Sequence, residues 1–562
     1  MKFCSLGGAY RVDGNEDDGV LREILDVCVP GHQQGSDYPR HVLLNWCRSL
    51  DYEMILILDN VEDVTDGDHE YYFLNLLRDM RMRSDYKLKF LLTSSSDMET
   101  VGTVSNIHLH KVCLDTLDVK ESIKVLKNGA HLTSDANPDT EVKLRKIAEL
   151  CGNIPLALKL AGPLLTDESE YTFKDLKQKL EQNPARTLGI KRMVEIAFKK
   201  LDKSLQRALI NLSVFPQSLK RDAAEAILGD NCPEDLTNLK KRCLIQKQGG
   251  RYQIHLLIRG YAKQIGEIFE FGQILSDSKQ HYLRHFLTLI LRNAQKYWGK
   301  DTCKESLRLF NEERTNLEFT LRKIAAGQNE VQNCRELEDV VDACCQLAPY
   351  VQDCVSFKLY SDFLNGLLHF CESQNNVTKQ VEILCLLYDK SRRHGGDVTK
   401  ASEGLIGRAI ELHGSPCFDR HSLSEVFYLS HYGRYLSQDL KRRKEAQPYL
   451  QEAISMFQKS ENASQVPVFD KGRILGQLEH NAKRSKRAKK KRYQEALHYY
   501  EKALHFRQQN CGKHVVTALS RKDLADYYLA TSELGKAEEN YEAAVQMFKV
   551  MEMTKQKEII QT

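Results

Sequence analysis

The stretch MILILDN, residues 54–60, sets five apolar side chains in succession and closes them with an acid and an amide. An uninterrupted apolar run of that length reads as a strand buried on both faces of a parallel sheet. An acid directly after it stands at the carboxyl end, where open α/β sheets bind ligands. Outward from this run, KFLLTSSS, residues 89–96, repeats the pattern with Phe90 to Leu92 as its core and Thr93 behind it. Helical spacing over Tyr71 to Met82 separates the two. Ile107 to Val112 offers a shorter strand, and Phe3 to Leu6 offers another at the start. Strands alternating with helices predict an α/β unit with a parallel sheet and crossover helices over residues 1–112.

From about Leu114 the pattern becomes helical. Leu144, Ile147, Ala148 and Cys151 recur at steps of three and four, Gly152 is placed to cap that helix, and Pro155 is placed to open the next. Residues 113–190 are therefore expected to form a small helical domain. Leu201, Leu205, Leu209 and Leu212 continue an amphipathic helix up to Phe215-Pro216. CLIQKQGGRYQIH, residues 243–255, reads as a hairpin about Gly249-Gly250. Helices closed by a small hairpin predict a winged helix over residues 191–275.

Beyond residue 276 the periodicity is almost wholly helical, with a linker to residue 379 and a repeat array over residues 380–562. Leu524, Ala525, Tyr528, Ala537, Tyr541 and Ala544 have the spacing of one tetratricopeptide unit, in which small residues let two antiparallel helices approach. Ala496, Tyr500 and Ala503 repeat half of it 41 residues earlier, and Ala446, Leu450 and Ala453 repeat it 50 residues earlier again. A weaker unit surrounds Leu384, Tyr388, Ala401, Leu405 and Ala409. Such units bury their apolar faces against each other, so the array is expected to be an all-α solenoid that offers a protein or peptide ligand a surface.

Composition narrows the function. At 562 residues the chain exceeds a single core and should divide into roughly three to five domains. The formal net charge of +4, with 28% charged residues, sets up no global field for nucleic acid or membrane. The 16 cysteines include no C-x-x-C pair and read as ordinary buried thiols. With no signal-peptide pattern and no apolar run near the ~20 residues of a membrane span, the expected place is a reducing compartment, the cytoplasm.

Asp59 after a buried strand could hold magnesium, through water, beside nucleotide phosphates; it could equally be an ordinary turn acid. The order of motifs favours the first. ILILDN, then FLLTSS with Thr93, then CGNIPLAL, then YQIHLLIRGYA resembles the NB-ARC class of STAND nucleotide switches, in the animal form that ends in tetratricopeptide repeats. Carried over, the resemblance makes residues 1–112 a partial nucleotide-binding domain and implies ADP or ATP with magnesium as cofactor. Asp59 would be the magnesium-associated acid, Asn60 would stand in the place of its usual second acid, and Thr93 would sense the γ-phosphate. Pro155 would pack on the adenine and His255 would reach the β-phosphate. Three departures weaken hydrolysis: Asn60 cannot act as a base, Ser95 stands where an arginine is common, and Leu256 follows the histidine in place of aspartate.

The sequence contains no match to G-x-x-x-x-G-K-S/T, the loop that cradles phosphates. In the resembled family that loop precedes the strand aligned with Phe3 to Leu6, so weak nucleotide binding is expected. The implied function is a regulated signalling scaffold, of an innate-immune or cell-death type, able to form homo-oligomers and not a turnover enzyme beyond a slow ATPase. The rivals are a nucleotide-independent tetratricopeptide adaptor and a DNA-binding regulator. The latter would need a basic recognition helix, and Lys240, Lys241 and Arg242 are the one nearby cluster. The basic run Lys483 to Arg492 reads as a nuclear-import or acidic-partner patch, or as a solvated helix end.

Overall fold

The computed structural model of the chain describes residues 2–6, 16–29, 39–64, 69–94, 110, 112–132, 138–166, 172–181, 188–268, 271–394, 400–420, 422–438, 442–459 and 489–551. These residues are mostly helical, with one small parallel sheet and one small antiparallel sheet. The chain divides into two compact units. One joins residues 1–111 with 291–312 and 341–562, and the other joins 112–290 with 313–340.

In the first unit the parallel sheet has the order β1 (Lys2–Ser5), β2 (Met54–Asp59), β3 (Leu88–Leu92). The pairing sets Phe3 beside Ile57 and Ile57 beside Leu91. Helices α1 (Glu16–Cys28), α2 (Pro39–Arg48) and α3 (His69–Arg83) share one core with Met54, Leu56, Leu58 and Leu88. Lys2 ties the sheet to α1 by donating to the carbonyls of Val27 at 2.6 Å and Cys28 at 2.8 Å.

The two-faced burial expected of residues 54–58 is corrected here. Met54, Leu56 and Leu58 are buried, but Ile55 is 43% exposed, and in β3 the buried residue is Leu88 while Leu91 is 54% exposed. An apolar run cannot reveal on which side its helices lie, and the helices described cover one face only. Among the described residues no strand pairs with the far side of β3. Most of the strand expected at residues 107–112 lies outside them.

The second unit begins with α4 (Val119–Gly129), α5 (Pro138–Leu150), α6 (Pro155–Ala161), α7 (Phe173–Glu181) and α8 (Leu188–Lys199). Gly162, just after α6, allows the closest approach of the group, since a Cβ there would stand 2.7 Å from the Cα of Gly129. Next come α9 (Lys203–Leu212), β4 (Ser218–Leu219), α10 (Arg221–Leu228), α11 (Cys232–Lys241), β5 (Gln246–Gln248), β6 (Arg251–Gln253) and α12 (Leu256–Gly266). The strands form an antiparallel sheet in the order β4-β6-β5. Gly249 and Gly250, at φ +56° and +81°, make the two-residue turn that only left-handed backbone closes with the twist of such a ribbon.

Helix α13 (Gly272–Trp298) runs from this unit into the first. After α14 (Cys303–Glu312), the helices α15 (Arg314–Ala325), α16 (Asn329–Gln332) and α17 (Arg335–Asp342) precede a succession of paired helices. The pairs are α20 (Val377–His394) with α21 (Lys400–His413) and α22 (Leu423–Gln438) with α23 (Arg443–Lys459), and they follow α18 (Cys344–Cys354) and α19 (Phe357–Ser373), the latter packed on α20. The last described are α24 (Lys489–Cys511), α25 (Val515–Ala530) and α26 (Leu534–Val550). The small residues expected at helix contacts are buried: Ala409, Ala446, Ala453, Ala503, Ala525, Ala537 and Ala544. Tyr500, Leu504, Leu524, Tyr527 and Tyr528 fill the space around Ala537. Of the basic run, Lys489 to Arg492 start α24 and the remainder lies outside the described residues.

Candidate functional site

The carboxyl ends of β1, β2 and β3 are held level by backbone hydrogen bonds. Leu6 N–H donates to the Asp59 carbonyl at 2.8 Å, Thr93 N–H to Leu58 at 2.9 Å, and Val61 N–H to the Thr93 carbonyl at 3.0 Å. The chain turns out of β2 through Asn60 at φ 60°, ψ 49°. Asparagine tolerates that left-handed geometry better than most residues with a side chain.

This frame brings Asp59, Asn60 and Thr93 together. The Thr93 hydroxyl donates to the Asp59 carboxylate and accepts the Asn60 N–H at 3.2 Å. A hydroxyl has one hydrogen to give. In this arrangement it therefore cannot also donate to a phosphate, and sensing by Thr93 would require the Asp59 bond to break. The carboxylate and hydroxyl suit a hard cation that keeps most of its own water, as magnesium does. They supply two oxygen donors and no phosphate cradle.

Pro155 and His255 belong to the other unit. Pro155 occupies the first turn of α6, solvent-exposed, after the left-handed Gly152 and Asn153 that end the preceding helical segment. His255 is the N-cap of α12, where its Nδ1 accepts from Leu257 N–H at 3.2 Å; local desolvation lowers its pKa. With Nδ1 engaged, a neutral ring carries its proton on Nε2, the nitrogen that could donate to an anion.

One surface in the repeat region escaped the reading of the sequence. His413 stacks on Tyr428 with ring centroids 3.8 Å apart, Tyr428 on Tyr432 at 5.6 Å, and Tyr432 on Tyr435 at 6.3 Å. The Arg442 guanidinium lies over Tyr435 at 5.9 Å. Burial pushes the Tyr428 hydroxyl well above its ordinary pKa, while Tyr432 and Tyr435 stay half-buried. The signal was legible, since tyrosines at positions 428, 432 and 435 share one helical face.

No helix among the described residues is long and apolar enough to cross a membrane. The tetratricopeptide repeat family model matches residues 480–549. In sequence, the chain is 24% identical over 152 residues to the disease resistance protein RML1A of Arabidopsis thaliana. That match spans 26% of this chain and 15% of the plant protein. In structure, it is similar to a signal transduction ATPase with numerous domains (STAND) protein with a tetratricopeptide repeat sensor, from Pyrococcus horikoshii. The TM-score is 0.53 at 15% identity, and the match covers 98% of this chain and 78% of that one. The chain therefore has the fold of a STAND protein with a tetratricopeptide repeat sensor, and its own tetratricopeptide match lies at residues 480–549.

Proposed function

We propose that the chain is a regulated signalling scaffold of the NB-ARC class, with the repeat array binding a protein or peptide segment. The observation that carries this reading is the likeness of fold along 98% of the chain to a STAND protein with a tetratricopeptide repeat sensor. The resemblance to a plant disease resistance protein supports signalling of an innate-immune or cell-death type, in the cytoplasm and with self-association on activation. Residues 191–275 serve as a winged helix that packs within the protein and does not read DNA.

Asp59, Asn60 and Thr93 are the acid and sensor positions of such a switch, and Pro155 and His255 keep the local settings that adenine packing and phosphate contact require. ADP is the cofactor implied, held with magnesium near Asp59. Because Asn60 stands where the second acid of that class would act as a base, ATP turnover is slow or nil. Titration with a fluorescent ADP analogue tests the assignment, and Asp59→Ala and His255→Ala are each expected to weaken whatever binding the parent chain shows. Tight binding unaffected by Asp59→Ala and His255→Ala would refute the assignment of these residues. Rapid multiple-turnover phosphate release would refute the scaffold reading in favour of an ATPase.

The array is tested separately. Capture of a defined peptide or protein segment should be lost on replacing Tyr432 and Tyr435 together by alanine, with the helical content unchanged. Binding that ignores both changes would place the ligand elsewhere.

A further inference from the structure

The sequence contains one pair of adjacent cysteines, Cys344-Cys345, and it opens α18. Cys344 is fully buried and Cys345 half-buried. Facing them is Glu382 of α20, a carboxylate residue 2% exposed. The Cys344 thiol donates to Glu382 Oε1 at 2.8 Å. The other oxygen, Oε2, accepts from Ser424 Oγ of α22 at 2.7 Å and from Lys379 Nζ at 3.0 Å. Lys379 is itself anchored, donating to the Asp342 carbonyl at 2.9 Å. The carboxylate is thus clamped at one oxygen while the other faces the thiols. Both sulfurs and a carboxylate oxygen lie within 4.8 Å of one another.

We infer that Cys344, Cys345 and Glu382 form a binding site for a thiophilic divalent cation, zinc foremost, which joins α18 to α20 within the repeat region. Three donors from protein with a fourth position left to water is an arrangement zinc accepts. Two sulfur donors select against magnesium and calcium, which take oxygen.

Charge favours the same conclusion. Two thiolates and a carboxylate carry three negative charges, and a divalent cation with Lys379 returns three positive ones, so the loaded site is neutral. A buried site left with net charge would be costly. Lys379 and Ser424 also hold the ligating carboxylate by its outer oxygen, as the supporting groups of metal centres do. Binding displaces the thiol protons, so each ion releases two as Cys344 and Cys345 become thiolates.

The test uses the full reduced chain, stripped by a chelator, with the exposed Cys113 and Cys417 changed to serine. Titration with cobalt(II) should give thiolate-to-cobalt absorption that saturates at one ion per chain. It should release two protons per ion, be displaced by zinc and resist magnesium. Cys345→Ser should remove about half of the charge-transfer intensity, and Ser424→Ala should weaken affinity about 10-fold or more. In the chain with Cys344 and Cys345 intact, bound zinc should protect the half-buried Cys345 from alkylation, as mapped on peptides, which tests the site without any change that could disturb folding. Absorption that never saturates, or that survives the double change Cys344→Ser and Cys345→Ser, overturns the site. Equal alkylation of Cys345 with and without zinc overturns it as well.

Discussion

The imidazole of His514 lies stacked on the indole of Trp298, with ring centroids 5.1 Å apart and planes 15° from parallel. His514 also caps α25, its Nδ1 accepting from Val516 N–H at 3.1 Å, and it is fully buried beside Tyr297. Burial pushes its pKa down from 6.5 to about 3, against a smaller favourable interaction with the Tyr297 backbone. Between those values the unfolded chain binds a proton that the folded chain does not. The associated stability is therefore complete above about pH 6.5 and lost as pH falls towards 3, by ~1.4 kcal/mol per unit. His514→Asn keeps a capping acceptor but cannot titrate, so urea midpoints measured from pH 7 to 5 should fall less steeply than in the parent. Parallel slopes would show that the ring is not buried neutral.

Arg251 at the start of β6 grips Glu313 with both arms of its guanidinium, at 2.5 and 3.1 Å, and the Glu313 side chain is 7% exposed. Asn316 donates to the same carboxylate at 2.8 Å and Lys220 lies 3.6 Å away. Arg251→Ala should cost roughly 3 kcal/mol, because it leaves a buried carboxylate without its main counter-charge. Adding Glu313→Gln should restore part of that loss in denaturant unfolding. A single variant as stable as the parent would mean the pair is open in solution.

Thr93→Val removes the hydroxyl that links β3 to Asp59 and Asn60 while keeping the side chain's shape. A cost of about 1 kcal/mol is expected, and Thr93→Ser should recover most of it. Thermal melting of the three chains decides the matter, and an unchanged melt for the valine variant would show that the bond does not form.

Ala544 is fully buried where α26 meets its partner helix. Leucine there should overpack the contact and cost about 1 to 3 kcal/mol. If the leucine variant unfolds at the parent's denaturant midpoint, the repeat register proposed from Ala537, Tyr541 and Ala544 is wrong.

The face of the parallel sheet that no described helix covers carries Phe3, Ile57 and Leu91 in one cross-strand row. Since Leu91 is largely exposed, Leu91→Lys should alter stability by no more than about 0.5 kcal/mol and reduce self-association in light scattering. A loss of several times that size would show that the face is covered in solution.

What the sequence by itself determined was the kind and order of elements. The apolar runs at 54–58 and 90–92, the Gly249-Gly250 turn and the alanine spacing around Ala525, Ala537 and Ala544 are local patterns. Local backbone and packing preferences impose them within one or two elements. What only the tertiary structure decided involves residues far apart in the chain. Which face of β2 is buried depends on where α1 to α3 lie. The Thr93 hydroxyl meets Asp59 across 34 positions, and Cys344 meets Glu382 across 38. Lys513 N–H donates to the Asp301 carboxylate at 2.7 Å across 212 positions, beside Gly512, where φ is +60° and a Cβ would strike that carboxylate. Periodicity carries no record of such meetings, because it reports which side of an element is apolar and not which distant element closes upon it.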